Sequence, residues 1–292
     1  MTSNSKAMAE PLIRNISDTA RWAAVFRAHE TERKDPLFRD PFARRLAGER
    51  GEEIAKAMTM HLKHSWSWVM RTYVFDEYVT RAIASGVDTV VNVAAGLDAR
   101  PYRMELPASL RWIEVDLPEL LAYKEDVLAG EKPRCTLERV PLDLADVAKR
   151  RALFAQIGAA ATRVIVLSEG LLIYLGRDDV GALASDLARP PTFRYWAFDI
   201  VSPGLMDMMR KQGGGGDELA RAGAPFKFAP PEGPDFFRQF GWTPVEVRST
   251  FKAASKTGRL PWSMKLFGLF PESNGAQGKR PWSGLCLCER AP

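Results

Sequence analysis

From residue 87 onward the chain alternates short β-rich apolar runs with helical stretches, and this alternation constrains the fold more than any other feature. Asp88-Thr-Val-Val-Asn-Val-Ala-Ala95 is the first run and ends at Gly96. Runs at 111–116, 136–141, 163–168 and 194–200 follow, with helical spacing at 120–128, 145–157 and 178–187 between them. Strands alternating with helices imply an α/β fold with a parallel sheet covered on both faces. Such a sheet binds ligands beyond the carboxyl ends of its strands, at the point where strand order reverses.

The rest of the chain is arranged around that sheet. Residues 1–15 read as a loosely attached start. Ser17-Asp18 offers an N-cap, and Trp22, Val25, Phe26 and His29 recur at helical spacing. Asp40-Pro41 reads as a second helix start with Gly48 as its stop, and residues 52–85 are again helical. The chain therefore divides into a helical cover at 1–85 and a sheet domain at 86–292. The segment at about 203–240, with a Met-rich helix, the run Gly213–Gly216 and several prolines, breaks the rhythm and reads as a lid insertion. Runs at 243–249 and 284–289 complete the sheet.

Composition narrows the function classes. The 292 residues are 46% hydrophobic and 26% charged, which suits a globular protein with a sizeable core and excludes intrinsic disorder. The net charge of +5 is spread along helices beside acids, without the basic, aromatic-interleaved stripe of a nucleic-acid binder. Three cysteines are too few for a disulfide framework, and Cys286 and Cys288, on one face of a strand, read as small buried hydrophobes. No signal peptide and no transmembrane run is evident, so a cytoplasmic protein without membrane or nucleic-acid partners is expected. His61 and His64 share a helix face but lack further ligands, so no metal is expected.

The chemistry-bearing residues fall on successive strand ends. Val93-Ala-Ala-Gly-Leu-Asp-Ala-Arg100 follows the first strand, and Ala95 and Gly96 allow close backbone approach to a ligand. Asp116 ends the second strand, where a carboxylate can accept from two ribose hydroxyls. Asp143 and Leu144 follow the third and suit an adenine amine and ring face. Glu169 ends the fourth, over the centre of such a ligand. Together they imply an adenosine-containing cofactor, either S-adenosylmethionine or a nicotinamide dinucleotide. Ala94 and Arg100 stand where a dinucleotide fingerprint needs its outer glycines, which argues against a nicotinamide-dependent oxidoreductase.

The chain resembles the leucine carboxyl methyltransferase family, including its bacterial S-adenosylmethionine-dependent members. The resemblance rests on Asp35-Pro-Leu-Phe-Arg-Asp-Pro-Phe-Ala43, Arg71-Thr-Tyr-Val-Phe-Asp-Glu77, the 93–100 stretch, Glu114-Val-Asp-Leu-Pro118, Leu142-Asp-Leu144 and Ser168-Glu-Gly-Leu-Leu-Ile-Tyr174. It implies a seven-stranded, Rossmann-like class I methyltransferase sheet with an antiparallel last strand, an N-terminal helical cover and a lid insertion. It further implies S-adenosylmethionine as cofactor, with Arg71 on the methionine carboxylate, Gly96 under the methionyl part and Asp116 on the ribose. Asp143 and Leu144 then meet the adenine, and Glu169 lies near the amino group or sulfonium. Arg27 is a further candidate contact from the first helix, and Tyr174 a candidate pocket wall. The implied reaction is O-methylation, with a carboxylate of a small molecule or peptide terminus as the expected acceptor. A carboxylate is already ionised at neutral pH and needs no general base, and no catalytic residue is assigned. A protein that binds the cofactor without catalysis is the other alternative.

Overall fold

A computed structural model describes residues 16–57, 65–211, 220, 224–269 and 280–291. Seven strands form one sheet: β1 (Thr89–Val93), β2 (Arg111–Asp116), β3 (Thr136–Pro141), β4 (Val164–Ser168), β5 (Phe193–Val201), β6 (Trp242–Ser249) and β7 (Ser283–Arg290). Their order is β3-β2-β1-β4-β5-β7-β6. The first five strands pair in parallel, and β7 runs antiparallel between β5 and β6. Strand order reverses between β1 and β4, so a crevice opens beyond their carboxyl ends.

Period-two alternation explains the continuous apolar runs. Val90, Ile165 and Leu167 face one side and pack with Val74, Phe75 and Tyr78. Val91, Val93, Val164 and Val166 face the other and pack with Phe154, Ile157, Leu183 and Leu187. Each fully buried side chain of this kind contributes about 1.5–3 kcal/mol, so neither face tolerates a register slip. Cys286 and Cys288 sit in the second of these layers, and burial raises both thiols above their usual range.

The helices before the sheet are α1 (Ile16–Thr31), α2 (Ala43–Ala57) and α3 (Ser65–Ala84). Within the sheet region come α4 (Arg100–Arg103), α5 (Pro118–Val127), α6 (Val147–Ala160), α7 (Arg177–Ala188), α8 (Pro203–Lys211) and α9 (Thr250–Lys256). Local signals account for several starts. Pro118 opens α5, and the Asp146 carboxylate accepts the Lys149 amide at the start of α6. The expected stop at Gly48 is a kink instead: the helical run resumes to Ala57 around a glycine at φ 61°, ψ −177°. Only glycine takes that backbone cheaply, and the apolar face of Leu46, Ala47, Ile54 and Ala55 continues against α1 on both sides of it.

The segment expected as a lid is of two kinds. Leu205, Met208, Met209 and Phe226 line a cavity, whereas Phe228, Phe236 and Phe237 are buried with Trp196 and Trp242 in the core. Gly213–Gly216, His61 and His64 lie outside the described residues. No helix among the described residues is long and apolar enough to cross a membrane.

Candidate active site

A cavity of about 930 Å³ opens over the carboxyl ends of β1 to β5. Its floor holds one residue or group from each strand end: Ala94 to Gly96, Asp116, Asp143 and Leu144, Glu169, and Asp199. Helix α3 adds Arg71 from above, and α1 adds Trp22 and Arg27. Every expected site residue therefore lines one space.

The loop after β1 is tightly wound. Ala94 takes φ +56° and Gly96 φ +52°. The left-handed backbone costs an L-residue about 1–2 kcal/mol, so Ala94 is held there by its surroundings. The Gly96 amide donates to Asp116 Oδ2 at 2.6 Å, and the Leu117 amide donates to Oδ1 at 2.7 Å. Burial raises the Asp116 carboxyl above its ordinary value, against the lowering by those two amides. The carboxylate is thus fixed in orientation while still lining the cavity.

Asp143 Oδ1 accepts the Ala145 amide at 2.9 Å, in the loop that leads from β3 into α6. Leu142, Leu144 and Leu120 line the cavity near it. Arg150 fixes this loop from below: it donates to the Leu144 carbonyl at 2.7 Å and pairs with Asp186.

The centre of the floor is a chain of alternating charges. Arg71 Nε lies 3.2 Å from Glu169 Oε1, and its Nη1 lies 3.4 Å from Asp199 Oδ2. On the other side Arg100 Nη1 lies 2.8 Å from Glu169 Oε2 and 2.7 Å from Asp98 Oδ2. Arg100 Nε reaches Asp76 on α3 at 2.6 Å, and Arg103 shares the same acid. Burial would depress the Arg71 guanidinium, but Asp199 and Glu169 hold it above its ordinary value. Burial raises the Asp199 carboxyl, partly offset by Arg71 and by the Gly170 amide, which donates to Oδ1 at 2.6 Å. Gly170 has φ +70°, and a Cβ there would lie 2.8 Å from Arg71 Nη1. A side chain at 170 would press on the guanidinium tip, so Arg71 would have to shift from the strand end.

Arg27 lines the cavity but its guanidinium is engaged, with Nε 2.9 Å from Asp40 and Nη2 donating to the Leu97 carbonyl at 2.6 Å. It braces the loop after β1 against α1 and the segment that leads into α2. Tyr174 lines the cavity and packs on Phe226 at 5.7 Å between ring centroids. Among the described residues, no group of three or more His, Cys, Asp or Glu is placed to hold a metal ion.

Asp199 and Arg100 were not among the expected site residues. Asp199 sits in Phe193–Val201, where it reads as one polar position of an alternating strand. The available signal was positional: an acid near the carboxyl end of the fifth strand, level with Glu169 on the fourth. Arg100 carried only a negative meaning, as a missing glycine.

Residues 20–188 match the family model described as leucine carboxyl methyltransferase. The chain belongs to this family. A relative from Frankia alni, named a "putative S-adenosyl-L-methionine-dependent methyltransferase", is 40% identical over 178 residues, covering 56% of this chain and 61% of that protein. A relative of the same description from Parafrankia is 32% identical over 294 residues, covering 90% of this chain and 88% of that protein. Among solved structures, a "putative methyltransferase" from Thermobifida fusca shares the fold with a TM-score of 0.59 at 15% identity, covering 97% of both chains. A DUF574 family protein from Streptomyces avermitilis does so with a TM-score of 0.58 at 16% identity, covering 94% of this chain and 97% of that one.

The fold is thus the Rossmann-like class I methyltransferase sheet, and this chain, as a member of the family, is an S-adenosylmethionine-dependent methyltransferase. The nicotinamide reading falls with that assignment. The donor set suits the cofactor chemically. An amino-acid end needs a cation for its carboxylate and acids for its ammonium, and Arg71 stands between Glu169 and Asp199. A ribose needs an acceptor for its hydroxyls, and the Asp116 carboxylate is oriented at the cavity wall.

Proposed function

We propose that this methyltransferase transfers a methyl group to an oxygen, and that the oxygen belongs to a carboxylate. The observation that carries the reading is the state of the acids around the cavity. Asp98, Glu169 and Asp199 are paired with arginines, and Asp116 and Asp143 accept backbone amides. Asp179, in the first turn of α7, is exposed. No histidine among the described residues lines the cavity. A hydroxyl acceptor needs a base to take its proton, whereas a carboxylate with a pKa of about 4 arrives ionised.

In this reading Arg71 binds the amino-acid carboxylate of S-adenosylmethionine, and Glu169 with Asp199 faces its ammonium. Ala95 and Gly96 let the backbone pass close beneath. Asp116 binds the ribose, Asp143 the adenine amine, and Leu144 covers the ring. When bound, the cofactor supplies a methyl group on a sulfonium centre. The protein's own contribution is placement and dehydration. The Arg71–Glu169–Arg100 chain fixes the floor, and Trp22, Trp68 and Tyr174 keep water from the acceptor oxygen. Holding the two partners in line is the main source of rate where no proton must move. An anion and a sulfonium neutralise each other as they react, which a water-poor site favours.

The test is to incubate the protein with methyl-labelled S-adenosylmethionine and a panel of free acids, alcohols and phenols. The reading expects label in a base-labile methyl ester. Label in a base-stable ether would overturn the carboxylate assignment. Tight cofactor binding with no product from any acceptor would favour a non-catalytic binding protein.

A further inference from the structure

The cavity wall away from the charged floor has its own chemistry. Trp22 and Trp68 from α1 and α3 lie with ring centroids 5.2 Å apart, and Tyr174 and Phe226 pair at 5.7 Å. All four belong to one apolar cluster, and all line the cavity. Helix α8 adds Met208 and Met209, flexible side chains that adapt to irregular apolar shapes. A peptide terminus entering here brings an N–H and a C=O with every residue, and each needs a partner once dehydrated. This stretch of wall supplies rings and thioethers instead, with the Tyr174 hydroxyl and two indole N–H groups as the polar side-chain atoms of these six residues.

The described cations of the cavity are all engaged. Among the described lining residues they are Arg27, Arg71, Arg100 and Arg150. Arg27 pairs with Asp40, Arg71 with Glu169 and Asp199, Arg100 with Asp76, Asp98 and Glu169, and Arg150 with Asp186. One of these pairings, at Arg71, is the proposed seat of the cofactor's carboxylate. None of these described cations remains for a second anionic group on the acceptor. The space is also bounded: about 930 Å³ must take cofactor and acceptor together, and pockets for single small ligands span about 300–1,000 Å³.

We infer that the acceptor is a small monocarboxylic acid whose remainder is an uncharged apolar chain or ring, seated on Trp22, Trp68, Tyr174, Phe226 and the α8 methionines. The inference rests on the carboxylate reading above and selects, within it, the small molecule over the peptide terminus. It also excludes acceptors with a second carboxylate or a phosphate, because burying an unpaired charge against this wall is prohibitive.

The experiment uses the full chain with S-adenosylmethionine and four probes: butanoate, octanoate, octanedioate and octanol. Methyl transfer is followed by release of S-adenosylhomocysteine, and acid binding is measured by calorimetry with S-adenosylhomocysteine present. From butanoate to octanoate kcat/KM and affinity are expected to rise by about fourfold per methylene. Octanedioate is expected to be poorer than octanoate by about 100-fold or more. Phe226→Ala, checked for native circular dichroism, is expected to flatten the chain-length dependence. Equal use of butanoate and octanoate, or octanedioate as good as octanoate, would overturn the inference while ester formation still upheld carboxyl methylation. Ether formation from octanol without ester from octanoate would overturn the carboxylate reading itself, and calorimetry would still report whether the apolar seat binds chains.

Discussion

Arg71 and Glu169 are 98 positions apart in the chain, and Arg71 Nε lies 3.2 Å from Glu169 Oε1. This contact ties the helical cover to the end of β4, and Asp199 extends it to the end of β5. The pairing makes Arg71 both a brace and the cation proposed to hold the cofactor.

Arg71→Ala is therefore expected to weaken S-adenosylhomocysteine binding by about 100-fold, the loss of a charge-assisted bidentate contact. Arg71→Lys should recover little of it. A point charge on a flexible stem cannot meet Glu169, Asp199 and a ligand carboxylate together. Calorimetric titration of both variants, with circular dichroism as the check on folding, measures this. Full affinity in Arg71→Lys would remove the bidentate role.

Asp98 gives the clearest acid dependence. Burial would raise its carboxyl, but Arg100, Lys124 and Arg103 hold it down to about 2, below the ordinary 3.8. A carboxyl with a lower pKa in the folded state stabilises the fold above the unfolded value and loses that contribution as pH falls through the folded one. The stabilisation is about 2 kcal/mol at neutral pH and disappears between about pH 5 and pH 1. Asp98→Asn should be less stable than the parent at pH 7, and the gap should narrow by pH 3. Urea midpoints at both pH values test it, and a pH-independent gap would count against the ion pair as its source.

Ala94 sits at φ +56°, in backbone that suits glycine. Ala94→Gly relieves about 1–2 kcal/mol of left-handed strain and gives back about 0.4–1 kcal/mol through the looser unfolded chain. The net expectation is a stabilisation of about 0.5–1 kcal/mol, visible as a rise in Tm. A fall in Tm would mean that the Ala94 methyl packs for more than its backbone costs.

The strand ends were legible because apolar runs, a following glycine and a terminal acid coincide at Val93 to Gly96, at Asp116, and at Ser168 to Gly170. The parallel pairing of the first five strands follows from the same alternation. The charged floor was less legible. Glu169 follows from its strand end and Arg71 only from the family resemblance, and their direct meeting, with its extension through Arg100 to Asp98 and Asp76, depends on how α3 crosses the sheet, which local pattern does not encode. Asp199 was hidden by the regularity of its strand. Gly48 misled for a local reason: a positive-φ glycine commonly ends a helix, yet here the apolar face resumes beyond it against α1.

Gly170 offers the sharpest test of the crowding at the strand ends. Its amide donates to Asp199, its φ is +70°, and a Cβ would lie 2.8 Å from the Arg71 guanidinium. Gly170→Ala should cost about 1–2 kcal/mol from the backbone alone. It should also displace Arg71, so S-adenosylhomocysteine affinity falls although no ligand-facing group has been removed. The two effects separate in a double-mutant cycle with Arg71→Ala. In the Arg71→Ala background the guanidinium is gone, and Gly170→Ala should then cost only the backbone share of stability and nothing further in affinity. Additive losses in both measurements would show that residue 170 acts independently of Arg71, and the contact between them would have no part in binding.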